Sequence, residues 1–516
     1  MTLDAAALGV LTARLTGVAD EMGAVLRRAA FSPNIKERAD CSAALFTAGG
    51  ELLVQAEHIP VHLGSMPASV RAAIDATDGG RHLRPSDQII VNDPFAGGTH
   101  LNDITLVAPC RVDGELVGWA ANRAHHADVG GAAPGSIPAD AIDIQQEGLR
   151  IPPVVLTSEV RALLTAASRT PAERAGDLDA QVGANAVGVE RLAEIIRTGA
   201  PVYEILDYGE RRTRAALREL PNGTWTFEDV LDSTGPRPEQ QRPATVVVGV
   251  TVDADQITFD FTGTDRQRPG NVNAVEAVTI SCVAFALRAA LDPTLPSNGG
   301  SMRPVHVIAP AGTIVNALPP AAVGAGNVEV SQRVADVCLG ALAQIVAERV
   351  GAASQGTMNN VLVGGDGWVY YETLAGGQGA RPGTPPRLGM SGVHTGMTNT
   401  KNTPIEALER AFPMRVVRYT LRRGSGGRGL ADGGEGLERD LLVLEDVTVS
   451  LITERRVSRP WGLAGGEPGA VGENWLLPGG DESRAERLGD KVTLELRAGD
   501  VLRVVTPGGG GWGPPP

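Results

Sequence analysis

Cysteine is scarce in this sequence, with four residues in 516. They lie far apart, and no C-x-x-C pair occurs among Cys41, Cys110, Cys282 and Cys338. Such spacing provides neither a zinc knuckle nor a disulfide framework. We therefore expect reduced thiols with a mainly structural role, as in a cytoplasmic protein.

Long apolar runs and basic charge are also limited. The most apolar later stretch, residues 277–287, is shorter than the ~20 residues that cross a bilayer. No basic segment precedes an apolar one at the N-terminus, so we expect no secretory signal. Lys and Arg total 46 against 60 for Asp and Glu, and the net charge of -14 repels phosphate backbones and anionic lipids. The sequence thus predicts a soluble protein that binds neither nucleic acid nor membrane.

A phosphate-binding loop is missing as well. Residues 424–429 match G-x-G-x-x-G, but the residues that follow, Leu-Ala-Asp-Gly-Gly-Glu-Gly, do not predict a helix. A phosphate cradle requires a helix N-terminus at that position. Because G-x-x-x-x-G-K-[ST] is also absent from the sequence, we expect any use of ATP to depend on a separate chain.

What the sequence does contain is abundant glycine, 65 residues, and three stretches of different character. Residues 1–157 begin with an amphipathic helix and continue as short strands with glycine-rich turns. Residues 158–222 are rich in Ala, Leu, Arg and Glu and predict a helical segment. Residues 223–516 predict strands, two core helices at residues 275–291 and 331–349, and a glycine-rich end. So much glycine favours a loop-rich enzyme over a helical scaffold.

The residues that can carry chemistry are concentrated in two clusters. One is Gly-Gly-Thr-His-Leu-Asn-Asp at residues 97–103, and the other is Arg-Ala-His-His-Ala-Asp at residues 123–128. Between them, Asp113-Gly114 is a strong signal for a two-residue hairpin turn. Such a turn folds one cluster onto the other. It would gather three side chains at the open end of the hairpin: His100, Asp103 and either His125 or His126.

Two imidazoles and one carboxylate beside glycines are typical of a metal site with open positions for water or substrate. Zinc, manganese and iron would each suit these ligands, with zinc or manganese preferred. A divalent ion there would lower the pKa of bound water to about 7 and polarise a carbonyl oxygen, as the cleavage of an amide requires. The alternative is that the histidines only form hydrogen bonds within loops and that Asp103 caps a turn.

The register of the hairpin decides which histidine faces the carboxylate. With a two-residue loop, counting back from the turn places Asp103 opposite Ala124. Side chains alternate in a regular antiparallel ladder, so this parity puts His126 on the face of Asp103. A bulge would put His125 there instead.

The fold class follows from the same patterns. Hairpins dominate the first part of the chain, helices the middle, and strands with glycine-rich loops the last part. We predict an α+β fold of several mixed layers in which antiparallel hairpins surround the metal site.

Further polar residues are candidates for substrate contacts. His58 and His62 follow the first hairpin, and they would line the same cleft or serve as ordinary hydrogen-bonding groups of a loop. Three more candidates are spread over the C-terminal part, and each taken singly also fits a structural role: Gln332, Asn360 and His394. These five form the predicted substrate-binding set.

Distinctive segments are spread over nearly the whole chain. They include residues 35–40 (IKERAD), 58–66 (HIPVHLGSM), 97–103 (GGTHLND), 146–153 (QEGLRIPP), 353–360 (ASQGTMNN), 370–373 (YYET) and 399–406 (NTKNTPIE). Together they resemble hydantoinase B proteins. That group includes N-methylhydantoinase beta subunits, the C-terminal half of 5-oxoprolinase, caprolactamase-type lactam hydrolases and the metal-bearing subunit of acetone and acetophenone carboxylases.

The resemblance implies a division of labour between two subunits. A hydantoinase A-like partner would bind ATP with magnesium and phosphorylate the substrate, within a hetero-oligomer. This chain would hold the metal and complete the opening of a cyclic amide, such as a hydantoin, 5-oxoproline or a lactam. The family's H-x-x-D pattern and the first histidine of its Arg-Ala-His pattern fall on His100, Asp103 and His125, as metal ligands and catalytic residues. That assignment requires a local bulge or twist before His125.

Two alternatives to this function stay open from the sequence. One is the metal subunit of an ATP-dependent ketone carboxylase, in which the ion would stabilise an enolate oxygen. The other is a non-catalytic binding or assembly subunit. One departure from the resemblance concerns residues 394–397, His-Thr-Gly-Met, where family members often carry His-Thr-His-Met. The missing imidazole leaves the role of that loop open.

Overall fold

The computed structural model describes residues 3–56 and 59–516. Ten α-helices lie within these residues: α1 (Ala5–Ala29), α2 (Pro33–Lys36), α3 (Met66–Ala76), α4 (Ser158–Ala167), α5 (Pro171–Arg197), α6 (Glu204–Leu217), α7 (Glu276–Ala290), α8 (Gly299–Met302), α9 (Ser331–Leu342) and α10 (Ile405–Ala411). A π-helical turn, Gly326–Val330, leads directly into α9. The helices α4 to α6 fill the stretch for which the sequence predicts a helical segment.

Nineteen strands lie in the described part of the chain: β1 (Cys41–Thr47), β2 (Leu52–Gln55), β3 (Ile89–Val91), β4 (Asp103–Val112), β5 (Glu115–His125), β6 (Val154–Val155), β7 (Gly223–Leu231), β8 (Ala244–Asp253), β9 (Gln256–Asp260), β10 (Val305–Ile308), β11 (Asn360–Gly365), β12 (Trp368–Thr373), β13 (Met414–Leu421), β14 (Leu437–Val443), β15 (Val447–Ile452), β16 (Glu473–Leu477), β17 (Glu486–Leu488), β18 (Lys491–Leu496) and β19 (Val501–Val505). The predicted α+β class of mixed layers is confirmed.

The strands form four sheets, with the orders β2-β1-β5-β4-β3-β6, β10-β9-β8-β7, β12-β11-β15-β18 and β13-β14-β19-β16-β17. The pairing of β9 with β10 is parallel, whereas the other strand pairs are antiparallel. Antiparallel neighbours need only short turns between them, which agrees with the hairpin signals in the sequence.

The first sheet is covered by helices on both faces. Its strand β1 sends Ala43 and Leu45 into a core shared with α1, whereas Ala44 and Phe46 enter a second core shared with α3. On the α1 side, α5 packs across β4 and β5 as well. Because successive side chains of a strand point to opposite faces, a strand buried on both sides is apolar almost throughout. This arrangement fixes β4 and β5, the strands that carry the two histidine clusters.

The remaining sheets build the rest of the molecule. The second sheet packs against α7 and α9 in the largest core, and the third and fourth sheets pack on each other in a separate core. Helix α9 ends at Leu342 instead of near residue 349, because the chain turns there and buries Val346 and Val350 in the largest core. The three-way division of the chain at residues 157 and 222 stays a prediction.

The four cysteines are buried and free of disulfide bonds, as the sequence predicts. Burial raises the pKa of the Cys41 thiol to about 12 and that of Cys110 to about 11. Thiols with such pKa values are poor nucleophiles and poor metal ligands at neutral pH. Separately, none of the described helices is both long and apolar enough to cross a bilayer.

Glycines of the C-terminal half pack backbone against backbone in what we call the glycine layer. At each of its positions an added Cβ would lie closer than 3.0 Å to a backbone atom of another segment. The layer comprises Gly377, Gly379, Gly389, Gly426, Gly427, Gly429, Gly433, Gly434, Gly436, Gly462, Gly466, Gly469, Gly508, Gly509, Gly510 and Gly511. Hydrogen bonds join the segments, for example from the Gly427 amide to the Gly509 carbonyl at 2.8 Å. Only glycine permits so close an approach.

We expect Gly509→Ala to lower the free energy of unfolding by about 1–3 kcal/mol or more, because the new methyl group would collide with the backbone of Gln378 and Gly379. The matched control is Gly17→Ala in α1, where nothing lies within 4 Å of the added Cβ. Alanine should stabilise that helix by up to about 1 kcal/mol. Thermal and urea unfolding of both variants test the prediction, and equal effects at the two positions would contradict it.

Candidate metal centre

The turn between β4 and β5 has the geometry that the sequence predicts. Asp113 and Gly114 both have positive φ, 51° and 88°. A type I′ turn requires positive φ at both central residues, and Asp-Gly is a preferred pair for it. Val112 lies opposite Glu115, so the loop has two residues, as expected.

The register beyond the turn differs from the simple count by one residue. The ladder shifts between Cys110 and Arg111, and from there it pairs Asp103 with His125. The predicted pairing of Asp103 with Ala124 is therefore wrong, because one extra residue on β5 is taken up by a bulge. A bulge before His125 is confirmed, although it lies next to the turn and not next to the histidine.

The three predicted ligands meet at the open end of this hairpin. One ligand atom from each of His100, Asp103 and His125 lies within 4.8 Å of the others, and all three residues are buried. His100 Nδ1 is 3.1 Å from Asp103 Oδ2, and His125 Nδ1 is 3.5 Å from Asp103 Oδ1. Two nitrogens and a carboxylate at such separations form a donor set that a transition metal prefers.

Several atoms of this cluster lack hydrogen bonds despite their burial. Among the residues that the structure describes, both ring nitrogens of His100, Oδ1 of Asp103 and Nε2 of His125 have no partner with hydrogen-bond geometry. Buried polar atoms are almost always satisfied, and leaving one unsatisfied costs about 1–3 kcal/mol. A divalent cation would satisfy these atoms together, so the residues present fit a metal ion.

The protonation of the cluster also suits a metal. Burial by itself would raise the pKa of Asp103, but the charges that His100 and His62 carry when protonated hold the pKa of that carboxyl well below its usual range. Burial is the main cause that lowers the pKa of His125. An ionised carboxylate and a neutral imidazole are the forms in which Asp103 and His125 would bind a metal.

His62 joins the cluster, although the sequence placed it only among the substrate candidates. Its Nε2 lies 3.4 Å from Asp103 Oδ2, and its Nδ1 lies 2.9 Å from the hydroxyl of Ser42 on β1. His58, the other histidine of that motif, lies outside the described residues. The hairpin β1–β2 and the segment after it therefore close one side of the site.

Tyr371 of β12 closes the opposite side. Its ring stacks on the imidazole of His125 with the centroids 4.7 Å apart and the planes 15° apart. The Tyr371 hydroxyl donates to Asn360 Oδ1 at 2.8 Å, and Asn360 Nδ2 donates to Glu329 Oε1 at 2.9 Å. Asn360 thus lies behind Tyr371, and a direct substrate contact by this residue stays a prediction.

Glu329 of the π-helical turn ends the chain of hydrogen bonds that runs from Tyr371 through Asn360. Its Oε1 also accepts hydrogen bonds from the Thr357 hydroxyl at 3.0 Å and from the Met358 amide at 3.1 Å, whereas Oε2 has no partner. Burial, together with the nearby charge of Glu454, raises the pKa of Glu329 to about 8. The carboxyl is therefore mostly protonated in the folded protein at neutral pH.

A small cavity of about 20 Å³ adjoins the cluster and is large enough for a water molecule or an ion. Besides His62, Asp103 and His125, three residues that sequence reasoning missed contribute to its lining: Asp40, Asn327 and Tyr371. Asp40 and Tyr371 belong to the IKERAD and YYET segments, which carried the family resemblance but received no chemical role. Membership in those two segments was the signal in the sequence that could have pointed to Asp40 and Tyr371.

Two more predicted residues line a second, larger pocket of about 400 Å³, which shares Thr398 with the small cavity. Gln332 Nε2 donates to the carbonyl of Thr395 at 3.2 Å. His394 Nε2 lies 3.0 Å from Asn402 Oδ1, and burial lowers the pKa of His394 to about 4. Gln332 and His394 therefore lie together, beside the metal cluster but outside it.

The loop that departs from the family pattern forms part of this pocket. Gly396 has φ 64°, and an added Cβ would lie closer than 3.0 Å to Gln332 Oε1. A histidine side chain at residue 396 would require Gln332 to move. In this chain the Gln332 side chain occupies the space beside Gly396 that a histidine side chain would need.

The second histidine of the Arg-Ala-His-His segment faces away from the cluster. His126 Nε2 lies 2.9 Å from Gln181 Oε1 of α5, and burial lowers the pKa of His126 to about 4. Asp128 accepts hydrogen bonds from the Gly130 and Gly135 amides and from Arg169. Both side chains hold local structure around the hairpin end.

Comparison with known proteins places this geometry in context. Residues 4–515 match the Hydantoinase B/oxoprolinase family. The chain belongs to this family. An uncharacterised protein of Methanocaldococcus jannaschii is 42% identical over 99% of this chain and 91% of its own length.

Two further members of the comparison have named activities. 5-Oxoprolinase 1 of Arabidopsis thaliana is 37% identical over 99% of this chain, which spans only 42% of that relative's length. The crystal structure of the ATP-dependent caprolactamase from Pseudomonas jessenii superimposes with a TM-score of 0.89 at 28% identity, covering 100% of this chain and 92% of the other. The family and its fold thus agree with the resemblance in the sequence.

The raised pKa of Glu329 predicts a pH dependence of stability. The folded protein keeps this proton up to about pH 8, whereas the unfolded chain releases it near 4.5. The folded state binds more protons in that window, so stability falls as pH rises through it, by at most about 1.4 kcal/mol per pH unit. In Glu329→Gln this contribution is gone, and the variant should gain stability relative to wild type between pH 6 and 8.

Urea unfolding at a series of pH values measures this difference. Glu348→Gln is the matched control, because the Glu348 side chain is 71% exposed. A difference between Glu329→Gln and wild type that stays constant from pH 6 to 8 would contradict the assignment.

Proposed function

We propose that this chain is the metal-holding catalytic subunit of an ATP-dependent enzyme that opens cyclic amides. The observation that carries the proposal is the buried cluster of His100, Asp103 and His125, whose unsatisfied nitrogen and oxygen atoms converge within 4.8 Å. The family membership adds support, because 5-oxoprolinase and caprolactamase are both named for cyclic amides. The substrate class proposed is a small cyclic amide: a hydantoin, 5-oxoproline or a lactam.

We assign the ATP-dependent step to a hydantoinase A-like partner in a hetero-oligomer. The G-x-G-x-x-G match at residues 424–429 lies in the glycine layer and does not precede a helix, so it lacks the geometry of a phosphate site. This chain spans 42% of the length of 5-oxoprolinase 1, which leaves more than half of that relative for other steps. The proposed location is the cytoplasm, where ATP is available and the free cysteines stay reduced.

The chain's own residues have distinct parts in the proposed reaction. His100, Asp103 and His125 would hold a divalent ion, with zinc or manganese preferred by the donor set. When bound, such an ion supplies a Lewis acid that polarises a carbonyl oxygen and acidifies water. His62, anchored by Ser42, orients the Asp103 carboxylate. Tyr371 keeps the His125 ring in its plane and helps to exclude bulk water.

The metal assignment predicts about one divalent ion per purified chain, measured by inductively coupled plasma mass spectrometry after growth with zinc or manganese. We expect His100→Ala to lose at least nine-tenths of this metal, since a ligand nitrogen disappears. His306→Ala is the control, because His306 lies exposed on β10 and should leave the metal content unchanged.

A thermal shift provides a second readout for the same variants. Added metal should raise the melting temperature of wild type and His306→Ala but not that of His100→Ala. Absence of metal from wild type under every supply tested would favour the non-catalytic assembly subunit over the proposed enzyme.

The activity itself is tested with the complex of this chain and its ATP-binding partner. We expect ATP hydrolysis that depends on a cyclic amide and a product heavier than the substrate by one water molecule. The same assay with a ketone and bicarbonate examines the carboxylase alternative, for which the product would gain carbon dioxide. His100→Ala in the complex should abolish product formation.

The isolated, pure chain should not hydrolyse ATP. ATP turnover by this chain alone would contradict the division of labour between the two subunits. In the assay of the complex, carboxylation of the ketone would replace the amidohydrolase assignment.

A further inference from the structure

The larger pocket beside the metal cluster is a separate space with its own chemistry. It has a volume of about 400 Å³, and Thr398 lines both this pocket and the small cavity at the metal cluster. Pro60 lines the pocket, while its chain neighbours Ile59 and Val61 line the small cavity. A molecule in this pocket would therefore lie next to the proposed metal ion.

Among the described residues that line the pocket, one side chain is acidic, and it is neutralised. Asp336 lies 3.0 Å from Arg333 Nη1 and 2.9 Å from Arg455 Nη2. Both guanidinium groups are almost completely buried, and they share a second carboxylate, that of Asp229. Two arginines and two aspartates leave this side of the pocket close to neutral.

Within residues 3–56 and 59–516, two other charged residues line the pocket, and both are cationic: Arg349 and Arg381. Arg349 Nη1 donates to the carbonyl of Leu291 at 2.9 Å. The carboxylates of Glu348 at 3.6 Å and Glu219 at 3.9 Å also lie near its guanidinium, and both of those side chains are at least 70% exposed. Such exposed pairs are weak because water screens them. The Arg381 backbone pairs with Arg387, but its guanidinium has no hydrogen-bond or ion-pair partner among the described residues.

The two cations lie in the same part of the wall. The stem of Arg381 packs on Gly351, where an added Cβ would come within 2.7 Å of Arg381 Cγ, and Gly351 follows Arg349 by two residues. The backbone of Ala352 donates to the carbonyl of Ala380 at 2.9 Å and fixes the two segments side by side. The net charge of the protein is -14, whereas these two arginines are only weakly compensated, so this part of the wall attracts anions.

We propose that this pocket holds the substrate through an oxyanion that Arg349 and Arg381 bind. The oxyanion is either the substrate's own carboxylate, as in 5-oxoproline, or the phosphoryl group added at the ATP-dependent step. This inference rests on the proposed function, because it presumes a cyclic amide beside the metal cluster. Guanidinium groups suit carboxylate and phosphate alike, since their planar donors match two oxygens at once.

The uncharged lining completes the recognition of an amide ring. His394 is neutral, with Nε2 engaged by Asn402 and Nδ1 buried and without a partner in the part of the chain that the structure describes. That Nδ1 is a free acceptor for the N–H of a cyclic amide. The pocket therefore combines an acceptor for the ring with cations for the oxyanion.

Isothermal titration of the full chain with three probes tests the proposal. The probes are 5-oxoproline, 2-pyrrolidone, which is the same ring without the carboxylate, and inorganic phosphate. We expect at least one anion to bind about tenfold to a hundredfold more tightly than 2-pyrrolidone, as a charge-assisted contact provides. Sodium chloride should weaken binding of the anion and leave 2-pyrrolidone unaffected.

Two single substitutions and one control locate the effect. Arg381→Gln and Arg349→Gln should each remove most of the preference for the anion, whereas Arg387→Gln, an exposed neighbour outside the pocket, should retain it. If the two pocket-arginine variants lose binding of 5-oxoproline alone, the oxyanion is the substrate carboxylate. If they lose binding of phosphate alone, the oxyanion is the phosphoryl group. If both anions bind no better than 2-pyrrolidone, or if neither pocket arginine affects their binding, the proposal is overturned.

Turnover by the complex with the partner subunit separates this proposal from the function on which it rests. If Arg381→Gln opens neutral lactams at the wild-type rate but loses activity on 5-oxoproline, both are supported and the carboxylate is the oxyanion. If it loses activity on neutral lactams and 5-oxoproline alike, and phosphate binding is weakened in the titration, both are supported and the phosphoryl group is the oxyanion. If wild type opens cyclic amides and the arginine variants match it on every substrate, the proposed function stands and the oxyanion pocket does not. If wild type opens no cyclic amide, the function fails whatever the titrations show.

Discussion

The carboxylate of Asp103 is buried among three imidazoles, and the groups around it have to compensate its negative charge. A carboxylate removed from water without compensation costs several kcal/mol, so the groups around it cannot be arranged loosely. Those groups come from separate parts of the chain. His62 follows the first hairpin, His100 precedes β4, His125 ends β5, and Asn327 belongs to the π-helical turn before α9. Helices bury the first sheet on both faces, and this burial holds the open end of the β4–β5 hairpin in place. The ring of Tyr371, from the third sheet, stacks on His125 at that end.

Local signals in the sequence were sufficient for the hairpin and for the meeting of the two histidine clusters, but simple parity favoured His126, and the choice of His125 came from the family resemblance. Asp113-Gly114 fixes the turn, and the two histidine clusters then have to meet. The register could not be counted correctly, because the bulge at Cys110 and Arg111 adds a residue to one strand only. Gly118, next to the bulge on β5, was the available hint, since glycine in a strand often marks such an irregularity or a close backbone approach.

The rest of the site depends on contacts between residues far apart in the sequence, and periodicity carries no information about them. Tyr371 comes from the third sheet, and Asn360 and Glu329 support it from behind. The pocket with Gln332 and His394 likewise becomes visible only when the 394–400 loop is placed against α9. Gly396 illustrates the point: in the sequence the missing histidine left the role of the loop open, whereas in the structure Gln332 of α9 fills the space beside this glycine.

Through β19 and the glycine layer, strands β14 and β16 depend on residues that follow them in the chain. Strand β19 is the central strand of the fourth sheet, between β14 and β16, and residues 508–511 lie among segments that precede them in the chain. The Gly510 amide bonds the carbonyl of Ala353, which lines the larger pocket. A nascent chain still lacking residues 501–511 would therefore present unpaired edges on β14 and β16 and an open pocket wall. On the ribosome, β14 and β16 have to wait for β19, which is synthesised after both of them, and in that interval their unpaired edges are exposed to aggregation.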